Sequence, residues 1–452
     1  MSDYATKQLD QAGDVDIQEL TIISSKGTFL DVRDYLSELN LYEDIFSPSL
    51  YGNLLLSDSR NLIKELPIIG DEYLVVKFKT PTIEAPIEKT FRIYSVTDRK
   101  VANDLNTQVY LLHFISKESV IDTVKPLYRS FEGKIDEIVS EIWKTYFQSN
   151  RTVKVEEEKI NLFDNKTKLV IINEPKNKIK YISPGWTPFK NINFCASKSL
   201  PSHGEACNYL FFESSKNFYF TNIENIFEAN NNTSNSPINL GRYFYKVSDV
   251  EKKESTVSKL FQVQDFRVKK TVDHLSNYDN GYLSNRLITL DFINKDYRAH
   301  DYDIVDRFQN YVHSQGERSI PLFSRDTVRT PLSKIKFYPQ HPGLHTSVSK
   351  NINEVMPEIF GNRLSNLLEL SNFKVIIDVP GRTDAEVGCM LNFVYPDISP
   401  RDDRDSSKVN DDVYYSGSYL VTAIRHKINL LSHNMTMELV KDSLKRKDEQ
   451  DF

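Results

Sequence analysis

At 452 residues the chain is long enough for more than one domain, and its 39% hydrophobic, 12% aromatic and 27% charged residues are an ordinary globular balance, rich in Tyr and Phe as strand-rich chains are. Its 15 Gly and 18 Pro exclude a fibrous or low-complexity chain, and a net charge of −6 excludes a protein that grips nucleic acid through its phosphates. Three scattered cysteines, Cys195, Cys207 and Cys389, exclude a disulfide framework and suit a reducing compartment.

In chain order, residues 1–15 are polar and read as a flexible N-terminal arm without the basic and apolar regions of a signal peptide. No run of about 18 apolar residues follows anywhere, so no membrane span is expected. Residues 16–116 read as strands joined by short polar turns: IQELTIIS, FLDVRDYLSELNLYED, the stretch Tyr42–Phe78, FRIYSVTD and QVYLLHFIS. Within Tyr42–Phe78 a short helix follows Asn61, and Pro67 and Gly70 punctuate the chain before YLVVKF. There Leu74, Val76 and Phe78 alternate with Tyr73, Val75 and Lys77, and both faces are apolar enough to be covered. Such a run of strands predicts a small antiparallel barrel or sandwich.

At Lys117 the character changes, and residues 117–255 read as an α+β insertion. Ile135, Ile138, Val139, Ile142 and Tyr146 fall at helical spacing with Trp143 on the flank. Thr187-Pro188 is an N-cap followed by proline at the first helical position, with Phe189, Ile192 and Ala196 facing inward. YLFFESSKNFYF (209–220) is a hairpin turning at Ser214 to Asn217, and EANNNTSNSP is an exposed loop.

The second half reads as a repeat of the first. NLLLSDSRN (53–61) aligns with RLITLDFIN (286–294), placing Leu54 on Leu287, Leu55 on Ile288, Asp58 on Asp291 and Asn61 on Asn294. LLHFISKES (111–119) aligns with MTMELVKDS (435–443), giving Leu111, His113 and Ile115 the strand phase of Met435, Met437 and Leu439. A second barrel is therefore expected from residues 256–297 and 372–445, interrupted by 298–371, and 446–452 form a polar tail. The interruption carries a helix from Pro357 to Leu370 with Phe360, Leu364 and Leu367 on one side. In the closing hairpin, Leu420, Thr422, Ile424, His426 and Ile428 share a face that meets Met435, Met437 and Leu439 across the INLLSHN turn, with Thr436 and Glu438 opposite.

Candidate chemistry is sparse. Cys195, His203 and Cys207 lack a CxxC pair and a fourth ligand, so buried apolar thiols are the plainer reading. His341 and His345 in HPGLH are four apart, but Pro342 and Gly343 argue against the helix that would align them. His426 and His433 flank the last hairpin turn as core-edge histidines, and Glu156-Glu157-Glu158 belong to a solvated charge run. GxSxG, HExxH and a phosphate-binding glycine loop do not occur. No catalytic, cofactor or metal site is expected. The acidic loop 398–413 is long for a hairpin connection and is either a flexible tip or a docking element.

The turn-and-strand pattern YEDIFSPSLYGNLLLSDSRNLIKELPIIGDEYLVVKF resembles the first tube domain of the baseplate central hub proteins of contractile-tailed bacteriophages, a fold also found in the N-terminal part of type VI secretion spike proteins. GSYLVTAIRHKINLLSHNMTMELVKDSL (Gly417–Leu444) resembles the last hairpin of the same hubs. The resemblance implies a mainly β chain with α+β insertions and two tandem antiparallel tail-tube-like β-barrels, the second interrupted. It further implies a non-enzymatic homotrimer with pseudo-sixfold symmetry, a ring that joins the tail tube to the central spike and forms part of the DNA channel. The expected partners are other copies of itself, the tail tube or tube initiator protein, the central spike, the tape measure protein and the baseplate wedges, in a virion assembled in the host cytoplasm. No stable nucleic-acid binding is expected, and a lumen that passes DNA should be neutral to acidic, because a basic wall would hold phosphates. A doubled barrel suits this independently, since three two-barrel chains present six similar positions. The alternatives are a type VI spike body and a tail-associated cell-wall hydrolase. The chain ends at KDSLKRKDEQDF without the neck and spike that continue type VI proteins, and no segment offers a hydrolase its catalytic acid.

Overall fold

Alternating apolar residues turn most of this chain into strand. The computed structural model describes residues 11–24, 27–65, 68–101, 107–148, 153–155, 158–160, 167–228, 239–245, 256–292, 294–315, 318–319, 334–340, 352–397, 411–412 and 414–444. Among the described residues, fourteen strands make one large mixed sheet. The first seven are β1 (Asp16–Ile23), β2 (Phe29–Asp31), β3 (Leu36–Asp44), β4 (Tyr51–Asp58), β5 (Tyr73–Lys79), β6 (Ile87–Val101) and β7 (Gln108–Ser116). The remaining seven are β8 (Asn239–Tyr245), β9 (Gln262–Val263), β10 (Asp265–Lys270), β11 (Lys374–Pro380), β12 (Met390–Val394), β13 (Gly417–Ile428) and β14 (His433–Val440).

The same strand order occurs twice. The first half runs β3-β4-β7-β6-β5 and the second β10-β11-β14-β13-β12, all antiparallel and in matching chain order. Beyond these five the halves differ: β1 joins β5 antiparallel, whereas β8 joins β12 parallel. Each half has its own apolar core. Leu20, Leu54, Leu74, Phe91 and Phe114 fill the first core, and Ile377, Leu391, Tyr419, Met437 and Leu439 the second.

This order corrects the repeat read from sequence. The strand Ser284–Asp291, aligned there with β4, stays out of the large sheet and forms a three-stranded sheet with Asp296–Asp303 and Ile335–Gln340. The counterpart of β4 is β11, and β8, from the 117–255 stretch, enters the second half between β12 and the edge strand β9. The phase of the second alignment is also off by one. On β7 the buried side chains are Tyr110, Leu112 and Phe114, so these correspond to buried Met435, Met437 and Leu439, while Leu111, His113 and Ile115 are only half-buried. The face assigned to β13 breaks at a bulge between Val421 and Ala423. An extra residue reverses the alternation, so Val421, opposite Leu439, shares the face of Ile424, His426 and Ile428, and Leu420, opposite Val440, does not.

In β5 the alternation holds, with Leu74, Val76 and Phe78 buried, but Tyr73, Val75 and Lys77 are half-buried rather than fully covered. Of the polar arm only residues 11–15 are described; there Val15 is buried, and the Gly13 carbonyl accepts from His433 N at 2.7 Å. The insertion follows its local signals. Helix α1 (Ile135–Tyr146) buries Ile135, Ile138, Val139, Ile142 and Trp143, and α2 (Pro188–Ser197) is capped by Thr187, whose side chain accepts from Lys190 N. Both pack on the hairpin Tyr209–Glu213/Phe218–Asn222, which is buried on both sides. Tyr209, Phe211, Phe218 and Phe220 face the insertion's core, and Leu210, Phe212 and Tyr219 face the core of the second half.

Helix α3 (Ile352–Glu369) starts before Pro357, and its inward side is not the one expected. Phe360, Leu364 and Leu367 are half-buried, whereas Asn362, Ser365, Asn366 and Glu369 are buried. The reason is hydrogen bonding. Asn362 accepts from Cys207 N and donates to the Glu205 carbonyl, and Arg363 reaches the carbonyls of Cys207 and Tyr209, so this helix satisfies loop backbone that would otherwise be buried unpaired.

Candidate functional site at the seam between the two halves

One strand belongs to both halves. The first part of β13, Gly417–Leu420, pairs with β12, and its last part, Ala423–Ile428, pairs with β3 over Leu39–Asp44. Ile428 packs into the core of the first half. The seam is therefore a continuous antiparallel ladder, and it is stiff in the way a sheet interior is.

Charged groups are buried along it, each with partners. Glu43 of β3 accepts from His426 Nε2 at 3.1 Å through Oε1, and from the backbone N–H groups of Ser215 and Val387, both at 3.2 Å, through Oε2. A carboxylate only accepts, so Nε2 of His426 carries the proton. Its Nδ1 lies 3.0 Å from His433 Nε2. Burial would raise the Glu43 carboxyl, but the hydrogen bond and charge of His426 and the two backbone donors outweigh it and hold it below its usual value. Burial, then the neighbouring His426, holds His433 well below its usual value and hence neutral. The three side chains are sealed from solvent, so this chain of groups cannot meet a substrate and acts on structure.

The insertion's hairpin turn closes the seam from one side. Glu213 accepts from Leu50 N at 2.9 Å, from Lys89 Nζ at 3.1 Å and from the Ser116 hydroxyl, tying it to the first half. Ser214 Oγ donates to Glu386 at 2.6 Å, and Lys216 Nζ reaches Glu386 at 3.3 Å, tying it to the second. Sequence reading identified this turn and missed its role. The one signal was a glutamate ending the otherwise apolar strand YLFFE.

The other residues singled out from sequence do not converge. Cys195 lies beside the Tyr181 hydroxyl and Cys207 beside the Glu205 carbonyl, both as free buried thiols that burial pushes up to about 12, while His203 is exposed. His341, His345, Glu156, Glu157 and most of the acidic loop 398–413 lie outside the described residues. At the end of that loop, Asp411 is 3.5 Å from Arg242 and Asp412 accepts from Tyr414 N and Tyr415 N. Among the described residues no helix is long and apolar enough to cross a membrane.

A second buried cluster was not foreseen. His313, Glu369 and Asp442 bring their ligand-type atoms within 4.8 Å of one another. His313 Nε2 donates to the Phe308 carbonyl at 2.8 Å, its Nδ1 lies 2.9 Å from Asp442, and Ser314 donates twice to the other Asp442 oxygen. Burial lowers His313, but the Asp442 charge and hydrogen bond prevail and hold it up to about 9, so the pair is ionic at neutral pH. Burial, then the Asp442 charge, pushes the Glu369 carboxyl up to about 8. From its ordinary value of 4.5 to about 8, the folded chain keeps a proton on Glu369 that the unfolded chain has lost, so this group's contribution to stability falls as pH rises. Glu369→Gln carries no such proton. Its melting temperature relative to the parent is expected to rise between about pH 5 and about pH 8 and then to level off, whereas a pH-independent difference would refute the assignment.

No family model matches the chain, and no curated protein matches it. Solved structures match its fold. A tail protein from Neisseria meningitidis MC58 aligns over 94% of this chain and 96% of its own length at 10% identity, with a TM-score of 0.51. The 43 kDa tail protein of prophage MuSo2 from Shewanella oneidensis aligns over 94% and 98%, also at 10% identity and TM-score 0.51. A chain of the Francisella PdpA-VgrG complex aligns over 99% and 68% at 10% identity, with a TM-score of 0.45. The chain has the mainly β fold of the two tail proteins, the fold expected for a baseplate hub.

Proposed function

We propose that a chain with this tail-protein fold is the structural central hub of a contractile phage tail baseplate, a homotrimeric ring of pseudo-sixfold symmetry that joins the tail tube to the central spike and forms part of the channel for DNA. The observation that carries the proposal is the doubled antiparallel order, β3-β4-β7-β6-β5 and β10-β11-β14-β13-β12, fused through one strand of a single chain. Two like bodies held in fixed relation are what a threefold protein needs to meet a sixfold tube, and a seam sealed by buried hydrogen bonds keeps that relation rigid. On this reading the chain works by geometry and carries no catalytic activity. Its partners are its own copies, the tube or tube initiator, the spike, the tape measure protein and the wedges, in a virion assembled in the host cytoplasm.

Native mass measurement tests the ring: the purified chain is expected at three times its monomer mass, with six similar lobes end-on by electron microscopy. A monomer at micromolar concentration would overturn the proposal. The same sample is expected to show no salt-sensitive binding of duplex DNA, because tight phosphate contacts would stall transit.

A further inference from the structure

We propose that His313, Glu369 and Asp442 form a site for one divalent transition-metal ion of the zinc or manganese kind, which fastens segment 298–371 to the second half of the fold. The site holds whether or not the chain is a baseplate hub.

The three residues come from three separate elements. His313 follows the 3₁₀ turn Phe308–Asn310, Glu369 is the last residue of α3, and Asp442 lies two residues beyond β14. No spacing in the sequence announces such a site, and none was expected. All three groups are buried: the side chains of His313 and Asp442 are 6% and 4% exposed, and Glu369 is 2% exposed. Their ligand-type atoms lie within 4.8 Å of one another. Metal bonds to histidine nitrogen and carboxylate oxygen are about 2.0–2.2 Å long, so two ligands of one ion sit up to about 4.4 Å apart. Side-chain shifts of less than about 1 Å therefore bring all three onto one ion.

Two of the three are already held as metal ligands are held. A ligating imidazole donates its other N–H to a carbonyl or carboxylate, which fixes its tautomer and the direction of the ring. His313 Nε2 donates to the Phe308 carbonyl at 2.8 Å, and its ring stacks on Phe308 with centroids 3.8 Å apart, which leaves Nδ1 facing the cluster. Asp442 is gripped by one oxygen only. Its Oδ1 accepts from Ser314 N at 2.9 Å, Ser314 Oγ at 2.6 Å and Ser443 Oγ at 3.0 Å, which leaves Oδ2 turned to His313.

Glu369 is the group without adequate partners. Among the described residues its side chain takes one hydrogen bond, from the Tyr282 hydroxyl at 3.3 Å, and no lysine or arginine pairs with it or with Asp442. Buried charges are normally paired or coordinate a metal. Two carboxylates and a neutral imidazole together carry two negative charges, which one divalent ion cancels. Imidazole nitrogen beside carboxylate oxygen suits zinc or manganese better than magnesium or calcium, which take oxygen ligands. The proton on Glu369 and the charge on His313 described above belong to the metal-free cluster, where they take the place of the ion.

The full chain, stripped with EDTA, incubated with ZnCl2 or MnCl2 and desalted, is expected to retain one ion per chain by inductively coupled plasma mass spectrometry. Its melting temperature is expected to rise by roughly 5 °C or more at an ion concentration about a hundred times the dissociation constant, and MgCl2 is expected to do neither. Glu369→Gln keeps the side-chain volume but offers no carboxylate, and while folded by circular dichroism it is expected to bind the ion about tenfold or more weakly. His203→Ala, at an exposed histidine outside the cluster, is expected to bind as the parent does. No retained ion with either metal, a thermal shift that MgCl2 reproduces, or an ion that Glu369→Gln binds as tightly as the parent would each overturn the site.

Discussion

Glu43→Ala is expected to destabilise the protein by about 3–5 kcal/mol, the scale of breaking a buried, fully paired charge. The carboxylate is sealed between β3, β13 and the insertion's turn, where it accepts from His426, Ser215 N and Val387 N. Alanine leaves those three donors without an acceptor in a space water does not enter, and each orphaned group costs about 1–3 kcal/mol. Glu43→Gln keeps the volume and one carbonyl oxygen and is expected to cost less than the alanine variant. Urea unfolding followed by tryptophan fluorescence compares the variants. A loss below about 1 kcal/mol for Glu43→Ala would show that the seam does not depend on this group. The two seam residues give an acid signature of the same sign. Glu43 and His433 are both held below their ordinary values, so folding stability from them is full above those values and declines as pH falls through 6.5 for His433 and through 4.5 for Glu43.

The second large effect belongs to Leu439→Ala and Ile424→Ala, each expected to cost about 2–5 kcal/mol and to abolish assembly. Leu439 lies between Val375 of β11 and Val421 of β13 in the core of the second half, and Ile424 is buried where β13 passes to the first half. Glu438 lies on the other face of β14, where strand phase alone would make it dispensable for folding. The structure gives it more to do. It takes Lys269 Nζ at 2.6 Å, Lys374 Nζ at 3.0 Å and the Thr422 hydroxyl at 3.0 Å, so it ties β10, β11 and β13 together. Burial would raise this carboxyl, but the two lysines hold it below its usual value. Both lysines are partly exposed, so solvent screens them and Glu438→Ala is expected to cost about 1 kcal/mol. Calorimetry of the three variants checks the order, and Glu438→Ala as the most damaging of them would refute the face assignment.

Much of the fold was legible because its signals are local. Alternation marked β5, β7, β13 and β14, the 3.6-residue spacing marked α1, and Thr187-Pro188 marked the start of α2. These depend on residues a few positions apart, whose geometry the backbone period sets wherever the segment ends up. The duplication was legible too, and β7 was matched to β14 one residue out of phase, but the partner of β4 was not legible. Ser284–Asp291 alternates apolar residues as β4 does, and many strands of this chain do the same, so likeness of pattern could not choose between it and β11.

The amino-acid sequence by itself therefore determined the strand-rich class, the doubling, the two insertion helices and the turn at 214–217. Tertiary structure alone decided which strands are repeat partners, on which face each residue falls beyond the Thr422 bulge, and why α3 buries asparagines while Phe360 and Leu364 stay half-exposed. It also created the seam, where Glu43 and His426 meet across 383 residues of chain. The physical reason is that a strand's side chains choose a face by a period of two, which one bulge reverses, whereas its partner is chosen by which backbone edge remains open once every other strand is paired.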